Sequence, residues 1–310
     1  STRHVGSLSL PCKSVKIIEP IDGAILNRHD GKQSSTGLAI LVSGIAPTKS
    51  KVTVNNVEAE TIRGSTPRYH DEFTCNIVLK ENENRIVALA KRSRKLSTDA
   101  ITVLWDRNSI KRYRFSVDDN ILFLKDLSVN SAKYSSIFDN AYMTFWKEMH
   151  ETYGAKIHLN IYYQTDGFNL SQMPDRYRPE WEENSDWLRL SFHALQDQPP
   201  RPYKNASYQE IEHDFLLVVR EIERFAGRKL RSPFTTVHWR EAPLEACRAL
   251  RNNGINGLAG YFILDPESGE PRVSYYLDKE KTKYLNEHDY WKDTKEGIFF
   301  ITHDLVINNV

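Results

Sequence analysis

Short apolar runs separated by turn residues occupy the first third of the chain. The runs cover residues 15–18, 38–42, 51–54, 73–79, 85–90 and 101–105, with turn clusters such as Pro-Ile-Asp-Gly at 20–23 between them. Strands of this length and spacing over about 90 residues are typical of an immunoglobulin-like β-sandwich. We therefore predict an all-β sandwich domain over residues 13–106.

The pattern changes after residue 110, where strand-like and helix-like segments alternate. One helical stripe of apolar residues ends at Gly154, and another follows the capping box Ser-Tyr-Gln-Glu at 207–210. Strands that alternate with helices predict βαβ units and a parallel sheet or barrel over residues 110–310. Predicted strands lie at 115–117, 156–163, 187–192, 235–239, 255–263 and 297–302, and predicted helices at 130–153, 207–227 and 244–253.

Composition and charge narrow the class of protein. The 310 residues include 42 Lys and Arg against 41 Asp and Glu, so the net charge of +1 gives no general attraction to nucleic acid. No apolar stretch is long enough to cross a bilayer. The three cysteines are widely spaced and follow no metal-binding or redox motif. We expect a two-domain globular protein with no nucleic-acid partner and no membrane span.

Carboxylates and imidazoles stand where several of the predicted strands finish. These residues are Asp118, Asp119, His193, His238, His303 and Asp304. The C-terminal ends of parallel strands meet on one face of a barrel, so we expect these side chains to converge. Two imidazoles and a carboxylate are usual protein ligands of a catalytic Zn²⁺, and a neighbouring carboxylate can take a proton from water. The Asp-Asp-Asn triplet at 118–120 also suits a simple turn, which is the alternative explanation for it.

The order of these residues resembles the polysaccharide deacetylase family with NodB homology, over residues 110–304. The family motif Thr-Phe-Asp-Asp-Gly has a counterpart in Ser-Val-Asp-Asp-Asn at 116–120, and His-Thr-x-x-His is reduced to His-Ala-Leu-Gln-Asp at 193–197. The resemblance implies a distorted (β/α)7 barrel that hydrolyses acetamides on amino sugars with one divalent metal ion, with zinc as the first choice. It also implies that Asp118 is the catalytic base and that Asp119 is a metal ligand.

Two further motifs of the family have weaker counterparts here. The second histidine of the His-Thr-x-x-His motif is missing, so the ligand beside Asp119 and His193 is either His238 or Asp197. Arg-Ser-Pro-Phe at 231–234 is similar to the family motif Arg-x-Pro-Tyr, but its place before a strand predicts that it faces the barrel floor. Ile-Thr-His at 301–303 is similar to Leu-x-His, which implies that His303 protonates the leaving amine. Neighbouring strand residues point to opposite sides, so either His303 or Asp304 faces the site, and we predict His303.

A long loop rich in aromatic and charged residues is predicted at 165–186. Loops of this length inside a compact domain are usually functional or disordered. Trp181, Trp187 and, on the polar side of the preceding strand, Tyr162 are candidate substrate-binding residues, because aromatic rings can stack on sugars. Packing of the loop aromatics on one another is the alternative.

The sandwich also has a resemblance of its own. Its runs Val-Lys-Ile-Ile-Glu-Pro-Ile-Asp-Gly and Val-Thr-Val-Asn-Asn-Val are similar to accessory sandwich modules of bacterial carbohydrate-active enzymes, which implies a spacer or docking role. The working hypothesis is a metal-dependent deacetylase that acts on an acetylated poly- or oligosaccharide. The expected location is secreted, periplasmic or on the cell surface, although this sequence carries no signal. The oligomeric state, and whether further domains follow residue 310, stay open.

Two alternative functions are consistent with the same features. The barrel can have lost catalysis, so that the chain only binds glycans through the sandwich and the segment 165–186. The chain can also be a glycoside hydrolase in which Glu182, Glu183 or Asp186 pairs with Asp118 at a separation of about 5 to 10 Å. The metal content separates the deacetylase hypothesis from both alternatives.

Overall fold

The computed structural model describes residues 13–62, 70–110 and 115–303. The chain divides into two compact units, one formed by residues up to 111 with residues 292–294, the other by residues 112–291 and those from 295 onward. In the described ranges, no helix has both the length and the apolar character that a membrane span needs.

The described residues of the first unit form two five-stranded sheets. Its strands are β1 (Lys16–Glu19), β2 (Ile25–Leu26), β3 (Lys32–Gln33), β4 (Leu38–Pro47), β5 (Lys51–Val54), β6 (Val57–Glu58), β7 (Glu60–Ile62), β8 (His70–Leu79), β9 (Glu83–Arg92) and β10 (Lys95–Trp105). One sheet has the order β1-β4-β8-β7, with β3 also paired to β4, and the other has the order β2-β10-β9-β5-β6. Each of the six strands predicted for this region overlaps an observed strand.

The long strands β4, β8, β9 and β10 of this unit bury mainly one face each. In β8, Phe73, Cys75, Ile77 and Leu79 are buried, whereas the residues between them are more exposed. A period of two places alternate side chains on opposite faces of a sheet, so β8 contributes one apolar face to a core. This one-sided burial is what a two-layer sandwich requires.

The second unit alternates strands with helices. Its strands are β11 (Phe115–Asn120), β12 (Ile157–Tyr162), β13 (Gln164–Thr165), β14 (Phe168–Asn169), β15 (Leu188–Ala194), β16 (Phe234–Thr235), β17 (Gly257–Gly260), β18 (Ile263–Leu264), β19 (Pro271–Arg272), β20 (Tyr290–Asp293) and β21 (Ile298–Thr302). Its helices are α1 (Leu122–Val129), α2 (Ala141–Tyr153), α3 (Arg178–Glu183), α4 (Tyr208–Phe225), α5 (Leu244–Asn252) and α6 (Lys279–Glu287).

Six strands of this unit run parallel to their neighbours. Strands β11, β12 and β15 form one sheet in that order, and β16, β17 and β21 follow one another in a second sheet. A parallel bridge between Leu190 and Arg231 links β15 to the residues that precede β16. In the described residues, β21 does not pair with β11, so these strands do not close into a barrel. The (β/α)7 barrel therefore stays a prediction. The C-terminal ends of the six strands lie along one edge, where α/β proteins carry their sites.

Helix α4 forms where its sequence pattern predicts it. The Ser207 side chain accepts a hydrogen bond from the Glu210 amide at 3.3 Å, and the Glu210 carboxylate accepts from the Ser207 amide at 2.7 Å. This reciprocal capping satisfies two of the amides that the first turn leaves without a partner. The apolar stripe of the helix, which includes Phe215 and Ile222, is fully buried.

Three predicted elements differ from the structure. The helix predicted at 130–153 begins only at Ala141, because the Asn140 side chain accepts from the Met143 amide at 3.1 Å and caps it there. The predicted loop at 165–186 is folded into β13, β14, two 3-10 turns and α3. Strand β12 also differs, since all six of its residues are buried and its polar residues therefore face the interior.

Candidate metal centre

Asp118 and Asp119 lie at the irregular end of β11. The pairing of β11 with β12 shifts register between Val117 and Asn120, and Asp119 has a left-handed backbone with φ of 61°. The Asn120 side-chain amide donates to the Val117 carbonyl at 2.7 Å and to the Asp118 carbonyl at 3.1 Å. These bonds stabilise the turn. The side chains of Asp118 and Asp119 contact different partners.

Three side chains bring one oxygen and two nitrogen atoms together. His193 lies in β15 and His238 in the 3-10 turn after β16, and the two residues are 1% and 8% exposed. Asp119 Oδ1 is 3.1 Å from His193 Nε2 and 3.3 Å from His238 Nδ1, and these two nitrogen atoms are 3.1 Å apart. The Asp119 side chain is 62% exposed, so this donor triangle opens to solvent on the carboxylate side.

The spacing of the donor triangle fits a small divalent cation. Ligand atoms about 2.0 to 2.1 Å from a tetrahedral Zn²⁺ are about 3.3 Å from one another. The three edges of the triangle, 3.1, 3.1 and 3.3 Å, match that spacing. One carboxylate and two imidazoles also leave a coordination position for water or substrate. Asp119, His193 and His238 are therefore the residues that would hold the ion.

Backbone carbonyls orient both imidazoles. His193 Nδ1 donates to the Thr236 carbonyl, and His238 Nε2 donates to the Asp197 carbonyl at 3.2 Å. A carbonyl can only accept, so the nitrogen bonded to it carries the proton and the other ring nitrogen presents a lone pair. Those lone pairs belong to the two nitrogen atoms of the donor triangle. Metal-binding histidines are usually fixed in this way by a hydrogen bond on the remote nitrogen.

Tyr162 contacts the donor triangle directly. Its hydroxyl donates to Asp119 Oδ1 and lies 3.2 Å from His238 Nδ1. Burial, followed by the contact with Asp119, raises the pKa of Tyr162 well above its ordinary value, so the hydroxyl keeps its proton. Tyr162, which we predicted to bind substrate, is thus a hydrogen-bond donor to the metal-site carboxylate.

Asp118 is held beside the donor triangle by two other side chains. Its Oδ2 accepts from Arg240 Nη2 at 2.6 Å, and its Oδ1 accepts from Asn160 Nδ2 at 2.7 Å. The Asp118 and Arg240 side chains are each only 17% exposed. The Arg240 guanidinium also lies over the Tyr261 ring, 4.0 Å from its centroid. Both carboxylate oxygens of Asp118 are therefore fixed in place.

The Asn160 amide is a preorganised donor to Asp118. It is fully buried in β12, where its oxygen accepts from Ser191 Oγ at 2.6 Å and from the Thr236 amide at 3.3 Å. Its nitrogen donates a second bond to Ser116 Oγ at 2.9 Å. Because both ends of the amide are satisfied, Asn160 cannot rotate without breaking several buried hydrogen bonds.

Asp197 and His238 were alternative third ligands, and they occupy different positions. The carboxylate of Asp197 is 67% exposed, and its Oδ1 is 3.8 Å from His238 Nε2, the nitrogen that faces away from the triangle. The part of Asp197 that bonds the imidazole is its backbone carbonyl. The structure therefore brings His238 into the triangle, whereas the Asp197 carboxylate stays outside it and accepts a hydrogen bond from the Tyr162 hydroxyl at 3.4 Å.

His303 follows β21 and contacts the Tyr261 ring, which the Arg240 partner of Asp118 also contacts. Its amide donates to the Gly260 carbonyl at 2.9 Å, and its imidazole packs edge-to-face on Tyr261 with centroids 5.5 Å apart. Tyr261 is the ring that Arg240 covers on its way to Asp118. Asp304 lies outside the described residues, so the choice of His303 over Asp304 stays a prediction.

Trp181 and Trp187, which we predicted to bind substrate, are buried and cannot serve as substrate platforms. The two residues are 0% and 4% exposed. Trp181 packs edge-to-face on Phe225 at 6.2 Å, and Trp187 stacks on His150 at 4.5 Å. Rings covered by protein on both sides present no face to a sugar, so their role in this structure is packing.

The carboxylates considered as glycosidase partners lie at the wrong end of the sheet. Glu182, Glu183 and Asp186 all precede β15. Ile157 of β12 pairs with Phe115 of β11 on one side and with Leu188 of β15 on the other, so these residues form one row across the sheet. Asp186 comes two residues before this row, and Asp118 comes three residues after it. At about 3.3 Å per strand residue, the offset is roughly 16 Å. That separation exceeds the range of about 5 to 10 Å in which paired carboxylates cleave a glycoside.

Several residues that contact Asp118, Arg240 or His193 were not foreseen from the sequence. They are Arg240, Asn160, Thr236 and Tyr261. Arg231, from the segment similar to Arg-x-Pro-Tyr, instead pairs with Glu223 at 3.1 Å before β16 begins. No local signal marks Arg240, because its position depends on how the chain turns after β16.

Comparisons with known proteins add little to this geometry. Neither a scan of protein-family models nor a search of curated proteins returns a match. Among solved structures, the chain is similar to an endo-beta-1,4-mannanase from Thermotoga petrophila, with 12% sequence identity and a TM-score of 0.22. The similarity covers 31% of this chain and 20% of that chain, so the match spans about a fifth of the mannanase. A likeness this low carries no argument about fold or activity.

Proposed function

We propose that the second unit is a metal-dependent hydrolase that removes acetyl groups from a poly- or oligosaccharide. The observation that carries the proposal is the donor triangle of Asp119, His193 and His238 beside the separately held carboxylate of Asp118. The choice of an acetyl group on a carbohydrate as substrate rests on the resemblance of the sequence motifs to polysaccharide deacetylases. The side-chain geometry supports the metal site, and the role of Asp118 as general base rests on the same resemblance together with its position next to Asp119.

The residues around the donor triangle have distinct roles in this proposal. A divalent cation bound there would polarise an acyl carbonyl and lower the pKa of a water molecule. Asp118 accepts the proton of the attacking water as general base. Arg240 and Asn160 keep the Asp118 carboxylate in one orientation, and Tyr162 keeps Asp119 in place.

Completion of the reaction needs a proton donor. The water oxygen forms a bond to the acyl carbon, the bond from that carbon to the sugar nitrogen breaks, and the nitrogen must be protonated as it leaves. We assign this proton to His303, because an imidazole ionises near neutral pH and its ring lies against Tyr261 at the same edge of the sheet.

Elemental analysis of protein purified without chelator tests the metal site. We expect one divalent ion per chain in the wild type, and loss of most of it in His193→Ala, because one of three donors is removed. Asp197→Asn is the matched control, since its exposed carboxylate lies outside the triangle and the carbonyl that orients His238 is unchanged. Equal metal content in the wild type and His193→Ala would contradict the assignment.

Acetate release from N-acetylchitopentaose and from acetylated xylan tests the reaction. Asp118→Asn should retain the ion but lower kcat by roughly 100- to 10,000-fold, the usual contribution of a general base. The Asp197→Asn control should turn over normally. Metal binding without acetate release from either substrate would favour a carbohydrate-binding protein that has lost catalysis.

A further inference from the structure

An exposed indole lies at the edge of the donor triangle. Trp239 directly follows His238, is 43% exposed, and packs edge-to-face on the His238 ring with centroids 6.1 Å apart. The Trp181, Trp187 and Trp291 rings of the same unit are all buried. Burial of a large aromatic ring is strongly favourable, so an indole left in solvent beside a polar site needs an explanation.

The backbone that carries Trp239 is strained. Trp239 has φ of 65° and Arg240 has φ of 55°, so two consecutive residues with bulky side chains are left-handed. That conformation favours glycine and is an outlier for bulky residues. Such strain persists only where the surroundings enforce it, and it concentrates at ligand sites. At this turn, His238 faces the interior and the next ring faces solvent.

Contacts on both sides hold the turn in this conformation. The Arg240 amide donates to the Val237 carbonyl at 2.7 Å, and the Arg240 carbonyl accepts from the Tyr275 amide at 3.0 Å. Glu241 accepts two hydrogen bonds from the Arg201 guanidinium, which ties the turn to the segment after β15. The indole is therefore exposed on a rigid support, and a ligand that stacks on it does not have to order the backbone.

We infer that Trp239 is the stacking platform for a pyranose ring adjacent to the one whose acetyl group enters the site. The inference rests on the proposed function and narrows its substrates to chains of at least two sugar rings. A flat indole face complements the apolar C–H face of a pyranose, while the hydroxyl groups at the ring edge stay in water. The contact of Trp239 with His238 places this platform next to the donor triangle.

Binding of oligosaccharides without acetyl groups tests the platform independently of turnover. Wild-type protein is titrated with cellopentaose, mannopentaose and deacetylated chitopentaose, with binding followed by calorimetry and by tryptophan fluorescence. We expect saturable binding of at least one of them, weakened roughly tenfold or more in Trp239→Ala and less than about threefold in Trp239→Tyr, which keeps an aromatic face. Absence of saturable binding of all three, or an unchanged Kd in Trp239→Ala, overturns the inference.

A second variant separates lost stacking from lost folding. Trp239→Gly should relieve the left-handed strain, so we expect its thermal unfolding midpoint to equal or exceed that of the wild type while oligosaccharide binding is lost. A Trp239→Gly protein that is well folded and binds as tightly as the wild type overturns the inference.

The kinetics of acetate release from N-acetylchitopentaose separate this inference from the proposed function. Trp239→Ala should raise KM roughly tenfold or more with a smaller change in kcat. If the wild type releases acetate and Trp239→Ala has the same KM and Kd, the platform is refuted and the deacetylase proposal stands. If oligosaccharides bind through Trp239 but neither N-acetylchitopentaose nor acetylated xylan releases acetate, Trp239 is a sugar-stacking residue of a binding protein and the deacetylase proposal is refuted.

Discussion

The ion pair between Asp118 and Arg240 should contribute measurably to the stability of the second unit. Arg240 Nη2 is 2.6 Å from Asp118 Oδ2, and each side chain is only 17% exposed. Arg240→Met removes the guanidinium charge and keeps an unbranched side chain over Tyr261. Asp118→Asn removes the carboxylate charge and keeps a similar volume.

The size of the effect follows from the distance and the burial. Two unit charges 2.6 Å apart attract by about 6 kcal/mol at an effective dielectric constant of about 20. Loss of hydration offsets most of this attraction, and a hydrogen bond between charged groups contributes about 1.5 to 3 kcal/mol net. At 17% exposure, salt screens the pair only partly. We therefore expect a coupling free energy of about 1.5 to 3 kcal/mol.

A double-mutant cycle measures this coupling. The wild type, the two single variants and the double variant are unfolded in urea with a chelator present, so that metal binding does not contribute. Tryptophan fluorescence reports mainly on the second unit, which contains Trp146, Trp181, Trp187, Trp239 and Trp291, all but Trp105 of the six tryptophans.

An exposed pair in the same unit provides the matched control. Arg178 and Glu182 lie 3.1 Å apart at i and i+4, with side chains 48% and 33% exposed, and their coupling should be only about 0.3 to 0.5 kcal/mol. A coupling for Asp118 and Arg240 that is no larger than this control would refute the reasoning, because it would mean that the carboxylate is not held by the guanidinium in solution.

Three other side chains have effects that are separable from the metal site. Ser207→Ala should lower the free energy of unfolding by about 1 kcal/mol because the capping box is lost, and Ser207→Asp should restore most of it in urea denaturation. Burial raises the pKa of the Cys247 thiol, so iodoacetamide should alkylate it only in denaturant, and rapid alkylation of the native protein, detected by mass spectrometry, would contradict its burial. Burial also raises the pKa of Tyr203, so its contribution to stability is complete below the ordinary pKa of about 10 and is lost as pH rises towards the folded-state value. Tyr203→Phe should therefore lose stability less steeply above pH 10, and urea midpoints that fall equally in both proteins would argue against this.

The sequence pattern correctly predicted those helices and strands in which the spacing of apolar residues matches the spacing of buried residues. Helix α4 has a capping box at its start, a buried stripe along one side and Gly227 just beyond its end, all of which are short-range features. The long strands of the first unit, such as β8, alternate buried with more exposed residues and carry the same kind of signal.

The same reasoning failed where distant segments decide which residues are covered. Strand β12 alternates apolar and polar residues, but neighbouring strands and their connections bury both faces, and its His158 and Asn160 side chains both bond to Ser191 of β15. Helix α6 was not predicted, because its sequence is strongly polar and only Thr282 and Leu285 are buried. The helix predicted at 130–153 was too long, because the capping role of Asn140 is recognisable only once the preceding turn is known.

The candidate site divides in the same way between sequence and tertiary structure. Residue types at strand ends placed Asp119, His193 and His238 among the candidate ligands, because parallel strands deliver their C-terminal ends to one edge whatever the details of packing. The sequence could not choose between His238 and Asp197, since both follow a strand and both residue types bind metals.

The sequence by itself determined which strands carry carboxylates and imidazoles at their ends, because alternation and turn residues are local properties. Only the tertiary structure decided the donor triangle and its supports. The Thr236 and Asp197 carbonyls select the histidine tautomers. They lie 43 and 41 positions along the chain from the imidazoles that bond to them. Arg240 reaches Asp118 across 122 positions, through a left-handed turn that no local propensity favours. Contacts of this kind depend on the packing of the whole unit, which is why the orientation of Asp118 and the exposure of Trp239 could not be derived from sequence pattern.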